Sequence, residues 1–218
     1  GTISVLRALK ELDPDGKQSR IEINGKMVTG QDIESGSIGH ATARELKNAI
    51  GKDAYESMNT IAVIRNPHAK LVSSYYFNKK GSFLNSFSMK GRKRRIIRIL
   101  RSLTSVFIAK LLPFRRWAFI HPFRTNLSYL TDKNGDRIVK YVARTEFLEQ
   151  DIIHILKKMN INTDNLEVGR HNTTKHDKYE KYFEHKWFKY KIDNKLKDDV
   201  EFYNTVCREN QINSKVSL

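Results

Sequence analysis

Cysteine is almost missing from this chain: its 218 residues include one, Cys207. A single thiol excludes an internal disulfide and a zinc site built from clustered cysteines. Long apolar runs are missing too. No stretch approaches the roughly 18 apolar residues that a membrane span requires. Proline (4) and glycine (11) are sparse, and no internal repeat or low-complexity linker appears, so residues 1–218 read as one domain. Acids are in the minority, with 24 Asp and Glu against 40 Lys and Arg, a net charge of +16. That surplus favours anionic partners and leaves nucleic acid, nucleotide, acidic glycan and membrane surface open. What is plentiful is aromatic: 11 Phe, 9 Tyr and 2 Trp take the chain out of the disordered class. No signal-peptide pattern opens it. The expected location is the cytoplasm, in part at a membrane, or the Golgi lumen if an anchor precedes Gly1.

Local patterns set an expected order of elements. Gly1-Thr2-Ile3-Ser4 leads into Val5, Leu6, Leu9 and Leu12, a helical spacing stopped by Asp13-Pro14-Asp15-Gly16. This opening reads as a loop-to-helix junction whose preceding strand is missing. Arg20 to Val28 alternates around Asn24-Gly25, a hairpin signal. A helix is expected from Thr42 to Ile50, closed by Gly51. Thr60 to Ile64 is a short β-branched run of the kind buried on both faces of a parallel sheet. Arg65-Asn66-Pro67 ends it, with Asn66 as N-cap and Pro67 as first residue of a helix carrying Leu71, Val72, Tyr75 and Tyr76. Asp132 to Asp136 is a turn. Arg137 to Ala143 is a second strand, ended by Arg144. Leu148, Ile152, Ile155, Leu156 and Met159 mark one face of an amphipathic helix. Residues 168–178 read as a polar loop, and Tyr179 to Asn210 as a helical, aromatic-rich tail.

Three features converge on phosphate binding. Gly1 to Ser4 stand at a helix start, where unpaired N–H groups and the helix dipole favour an anion and Thr2 and Ser4 add hydroxyls. Arg65 stands at the carboxyl end of a buried strand, where ligands of parallel sheets sit, and a guanidinium can grip phosphate with two hydrogen bonds. Ser73, two turns into the next helix, offers a further donor; the plainer alternative is a capping turn with a solvated arginine. Arg144 ends the second strand, but a structural pair with Glu146 or Asp151 weighs more heavily there than ligand contact.

The runs His40-Ala41-Thr42-Ala43-Arg44-Glu45-Leu46 and Ile61 through Arg65-Asn66-Pro67 to Leu71-Val72-Ser73-Ser74-Tyr75-Tyr76-Phe77 resemble the carbohydrate sulfotransferases of the Golgi and of bacteria. These use 3′-phosphoadenosine 5′-phosphosulfate (PAPS) as donor. The family pattern Val-Arg-Asn-Pro-Tyr-Asp-Arg-Leu-Val-Ser-x-Tyr is broken here at His68, Ala69 and Lys70. Leu127 to Asp136 and Val142 to Asp151 are similar to the family's second block. The resemblance touches most of the chain in order. It implies an α/β fold: a three-layer parallel sheet flanked by helices, related to the P-loop nucleotide kinases. It also implies that Arg65 and Ser73 bind the donor's 3′-phosphate. Gly1, Thr2, Ile3 and Ser4 match the end of the 5′-phosphosulfate loop, whose strand and lysine would lie upstream of Gly1. His40 is implied as the base that deprotonates the acceptor hydroxyl, a task suited to imidazole; without the resemblance it reads as a turn or capping residue. His68, in the first turn of its helix, is expected nearer the nucleotide, and His121 in a loop. No metal is called for.

Two basic segments stay open. Arg170 to Lys175 resembles a loop that closes over the nucleotide, or is a solvated loop. The run from Lys90 to Arg101, within residues 90–116, suits an acidic acceptor, an anionic membrane surface touched peripherally, or a solvated helix face. The expected partners are PAPS, its product 3′-phosphoadenosine 5′-phosphate (PAP), and a glycan or other hydroxyl acceptor, with no nucleic acid. The alternatives are a nucleotide or small-molecule kinase, which would need a complete phosphate loop and a magnesium-holding carboxylate, and a non-catalytic polyanion-binding protein.

Overall fold

The computed structural model describes residues 21–23, 26–28, 42–80, 105–164, 166, 168 and 177–215. The chain forms two compact units, one from residues 1–66, 125–172 and 198–218, the other from 67–124 and 173–197.

In the first unit, β1 (Ile21–Ile23) and β2 (Lys26–Val28) pair antiparallel, and the match of Ile23 with Lys26 leaves Asn24-Gly25 to connect them. Helix α1 (Ala43–Ile50) begins with a capping box: Thr42 Oγ1 accepts from Glu45 N at 3.1 Å and Glu45 Oε2 accepts from Thr42 N at 2.8 Å. Gly51 ends it at φ 88°, a conformation that suits glycine, and α2 (Lys52–Ser57) follows at once.

Strand β3 (Ile61–Ile64) pairs parallel with β4 (Tyr141–Arg144), in the register Ile61 to Tyr141 and Ile64 to Arg144. The expected second strand is thus cut to its last part. Its earlier residues pair elsewhere: Arg137 bridges Thr131 antiparallel, Ile138 N donates to Leu130 O at 3.0 Å, and Lys140 N donates to Thr60 Oγ1 at 2.9 Å. One run of alternating residues therefore serves two pairings. The intervening turn is closed by Asp132, whose Oδ1 accepts from Asn134 N and Asp136 N, with Gly135 at φ 90°.

Side chains alternate across β3, so its two faces meet different helices. Ile61 and Val63 pack with the buried face of α6 (Leu148–Lys158), which is Leu148, Ile152, Ile155 and Leu156. Ala62 and Ile64 pack with Tyr203 and Val206 of α8 (Lys197–Lys215), together with Leu130, Val139 and Val142. Leu130 comes from the single turn α5 (Leu127–Leu130). Each such aliphatic residue, fully buried, contributes about 1.5–3 kcal/mol, so the strand pair is held from both sides.

In the second unit, α3 (Pro67–Lys80) starts at the expected proline and buries Leu71, Val72 and Tyr75. Tyr75 sits among Phe114 and Trp117 of α4 (Phe114–Ile120), with ring centroids 5.5 and 5.3 Å away. Its hydroxyl donates to Leu112 O at 3.0 Å, which satisfies the polar end of a buried ring. The aromatic tail is helical in pieces: a 3₁₀ turn (Tyr179–Phe183), then α7 (Lys186–Lys195), then α8. His185 Nδ1 accepts from Phe188 N to start α7, and Asp198 and Asp199 favour the start of α8. Phe183 and Phe188 of this tail complete the aromatic cluster around Phe114.

Candidate functional site

Two arginines stand at the carboxyl edge of the parallel pair in the first unit, and their surroundings differ. Arg144, the last residue of β4, is 6% exposed and fully engaged. Its backbone N, Nε and Nη2 donate to Asp151 at 2.7, 2.8 and 2.7 Å. Asp151 is itself 4% exposed, in the first turn of α6. The guanidinium also lies over the Phe147 ring at 4.4 Å. The Asp151 hydrogen bonds push the Arg144 pKa up, against the effect of burial. Arg144 is a structural ion pair, and of the two carboxylates weighed for it the partner is Asp151.

Arg65 follows the last residue of β3 and is half-buried. Among the described residues, no group accepts a hydrogen bond from its guanidinium. Burial pulls its pKa down, opposed by the nearby charge of Glu146. Its backbone, by contrast, is held firmly. Thr145 Oγ1 donates to Ile64 O at 2.8 Å, Asn126 Nδ2 to Arg65 O at 2.9 Å, and Asn66 N to Glu146 Oε1 at 2.9 Å. Three consecutive residues are thereby pinned by side chains from other parts of the chain.

Those side chains are fixed in turn. Glu146 Oε2 accepts from the Tyr203 hydroxyl at 3.0 Å, and burial, with Glu146 beside it, pushes the Tyr203 pKa up. Asp199, 1% exposed, accepts from Asn126 Nδ2 at 3.1 Å and from Leu127 N at 3.0 Å. The result is a cation with a firmly held backbone whose fork meets no hydrogen-bond acceptor among the described residues. A half-desolvated guanidinium in that state is suited to a planar or tetrahedral oxyanion such as phosphate. The sequence reading missed Asn126, Thr145, Asp199 and Tyr203 as supports. Asn126 lies 61 residues from Arg65 and carries no local signal of that role.

Of the other residues expected to bind the donor or act as base, Ser73 alone is among the described residues. Ser73 is half-buried on α3, in the second unit. Gly1, Thr2, Ile3, Ser4 and His40 lie outside the described residues, as do 90–104 of the basic run and 169–176, which includes the whole Arg170–Lys175 loop. His68 belongs to the second unit, where its Nε2 lies 2.6 Å from Asp193 Oδ1 and its ring meets Phe183 edge-on at 4.9 Å. His121 caps the end of α4 and stacks on Trp117 at 4.1 Å. Burial and Lys195 lower its pKa to about 4, so it is neutral at pH 7. Among the described residues, no group of three His, Cys, Asp or Glu is placed to hold a metal ion, and no helix is long and apolar enough to cross a membrane.

Compared with family models, with curated proteins and with solved structures, the chain finds no match in any of the three.

Proposed function

We propose that this chain is a PAPS-dependent sulfotransferase that moves a sulfuryl group to a hydroxyl of a glycan or glycolipid. The observation that carries the reading is Arg65: a half-buried guanidinium, unpaired among the described residues, on a rigid backbone just past the carboxyl end of a parallel strand. The Arg-Asn-Pro block around it, and its likeness to the carbohydrate sulfotransferases, supply the chemistry.

In this reading the fold is the three-layer parallel sheet of that family. Arg65 and Ser73 hold the 3′-phosphate of the donor, and Gly1 to Ser4 meet its 5′ side. His40 takes the proton of the acceptor hydroxyl as its oxygen attacks sulfur. The bond from sulfur to the 5′-phosphate oxygen breaks in line, and PAP leaves with the electron pair. Fixed donors around the phosphates stabilise the charge that grows on the leaving group, as in phosphoryl transfer. The reaction needs no metal.

A thermal-shift comparison on the full chain tests this against the kinase and polyanion alternatives. PAP should raise the melting temperature without magnesium, and more than ATP does. A shift with ATP and magnesium but none with PAP would favour a kinase. A shift with heparin or RNA alone would favour a polyanion-binding protein.

A further inference from the structure

Among the described residues, seven of the ten exposed large apolar side chains belong to the second unit. Four of them form one surface. The helical period sends Phe188 and Ile192 of α7 inward, at 1% and 0% exposure, and turns Trp187 and Tyr190 outward, at 58% and 61%. In α4 it buries Trp117 and Ala118 and leaves Phe119 and Ile120 exposed at 41% and 57%. The two outward faces meet where the Phe119 and Trp187 rings lie 5.9 Å apart. The junction is clamped by Lys195, whose ammonium donates to the carbonyls of Ala118, Phe119 and His121 at 2.8, 3.1 and 2.9 Å.

The surface is basic as well as apolar. Arg115, Arg116, Lys186 and Lys191 are exposed on the same two helices, and the Lys191 ammonium lies 5.8 Å from the centroid of the Trp187 ring. The single acid in α4 and α7 is Asp193, already bound to His68 and Lys189. We propose that this face docks on an anionic bilayer surface, with the rings and Ile120 at the boundary of headgroups and acyl chains and the cations on the lipid phosphates and carboxylates.

Charge and side-chain chemistry together select this occupant. Trp and Tyr prefer that boundary, and Lys and Arg beside them are drawn to acidic headgroups. A second copy of the chain would bring like charges face to face in a two-fold contact. A dissolved acidic glycan would use the cations but give Ile120 and Phe119 nothing apolar to bury in. The docking does not depend on the sulfotransferase reading.

Trp187 makes the test selective, because the other tryptophan, Trp117, is fully buried. The full chain is mixed with vesicles of phosphatidylcholine, with or without phosphatidylserine, and followed by sedimentation and tryptophan emission. Sedimentation with the serine-containing vesicles and a blue shift are expected, with little binding to phosphatidylcholine alone. Joint Trp187→Ala and Tyr190→Ala substitution should weaken binding at least about tenfold, and Arg116→Glu with Lys191→Glu should do the same while leaving both rings in place. Equal binding to both vesicle types overturns the proposal, as does vesicle binding without a blue shift or unchanged by the ring substitutions. Self-association lost in the ring variant, without vesicle binding, also overturns it, in favour of a second copy.

Discussion

Arg65 and Arg144 occupy neighbouring strand ends, and alanine at each should give opposite results. Arg144→Ala removes both side-chain partners of a carboxylate that is 4% exposed and leaves it one backbone N–H. Breaking a buried pair in this way costs about 3–5 kcal/mol, which for a chain of this size is roughly 6–20 °C in Tm. Arg65→Ala removes a cation that donates a hydrogen bond to none of the described residues and whose burial already works against its charge. Its unfolding free energy should stay within about 1 kcal/mol of the parent, as no named destabilising mechanism applies. Binding should show the reverse pattern. A phosphate gripped by two charge-assisted hydrogen bonds, each worth about 1.5–3 kcal/mol, loses roughly a hundredfold to ten-thousandfold in affinity when the guanidinium goes. Urea unfolding gives the first quantity and calorimetric titration with PAP the second. PAP affinity unchanged in Arg65→Ala would refute the assignment of Arg65. A stability loss in Arg65→Ala equal to that in Arg144→Ala would show that its side chain is structural after all.

Two further perturbations probe the supports. Asp199→Ala leaves Asn126 Nδ2 and Leu127 N without their carboxylate in a buried place, so a loss of about 2–4 kcal/mol is expected in urea unfolding, with weaker PAP binding as Asn126 loosens its hold on the Arg65 carbonyl; a loss below about 1 kcal/mol would mean that the site backbone is held otherwise. His121 has a folded pKa of about 4 against an ordinary value of 6.5, so the unfolded chain takes the proton first. This group therefore costs no stability above pH 6.5 and takes stability away as pH falls from about 6.5 to about 4. His121→Phe should shed that part of the acid sensitivity, read as a Tm difference from the parent that grows in the variant's favour over this range. A difference independent of pH would show that His121 titrates normally.

Local elements were legible in the sequence because their causes are local. Thr42, Gly51 and Pro67 mark helix ends through their own hydrogen bonds and dihedral preferences, and the apolar period of Leu148 to Leu156 defines a buried face without reference to anything distant. The hairpin around Asn24-Gly25 and the short buried strand at Ile61–Ile64 belong to the same class. The second strand was overrun because alternation states that residues can pair and not with which neighbour. Arg137 and Ile138 went to Thr131 and Leu130, and only Tyr141–Arg144 went to β3.

What the sequence determined by itself, then, is the helices at 43–50, 67–80 and 148–158, the strand at 61–64, the positive charge, and the placing of an arginine at the end of each of two strands. The pairing of Arg144 was already weighed in the sequence, and folding chose Asp151 for it; folding alone left the Arg65 guanidinium without a hydrogen-bond acceptor among the described residues. Asp151 reaches Arg144 from the first turn of the following helix, while Asn126, Glu146 and Asp199 gather behind the Arg65 backbone from segments 61 or more residues away. Whether a buried charge finds a partner depends on which distant carboxylate the packing of α6 and α8 delivers. For Arg65 that is a property of three-dimensional contact, for which neither composition nor spacing carries a signal.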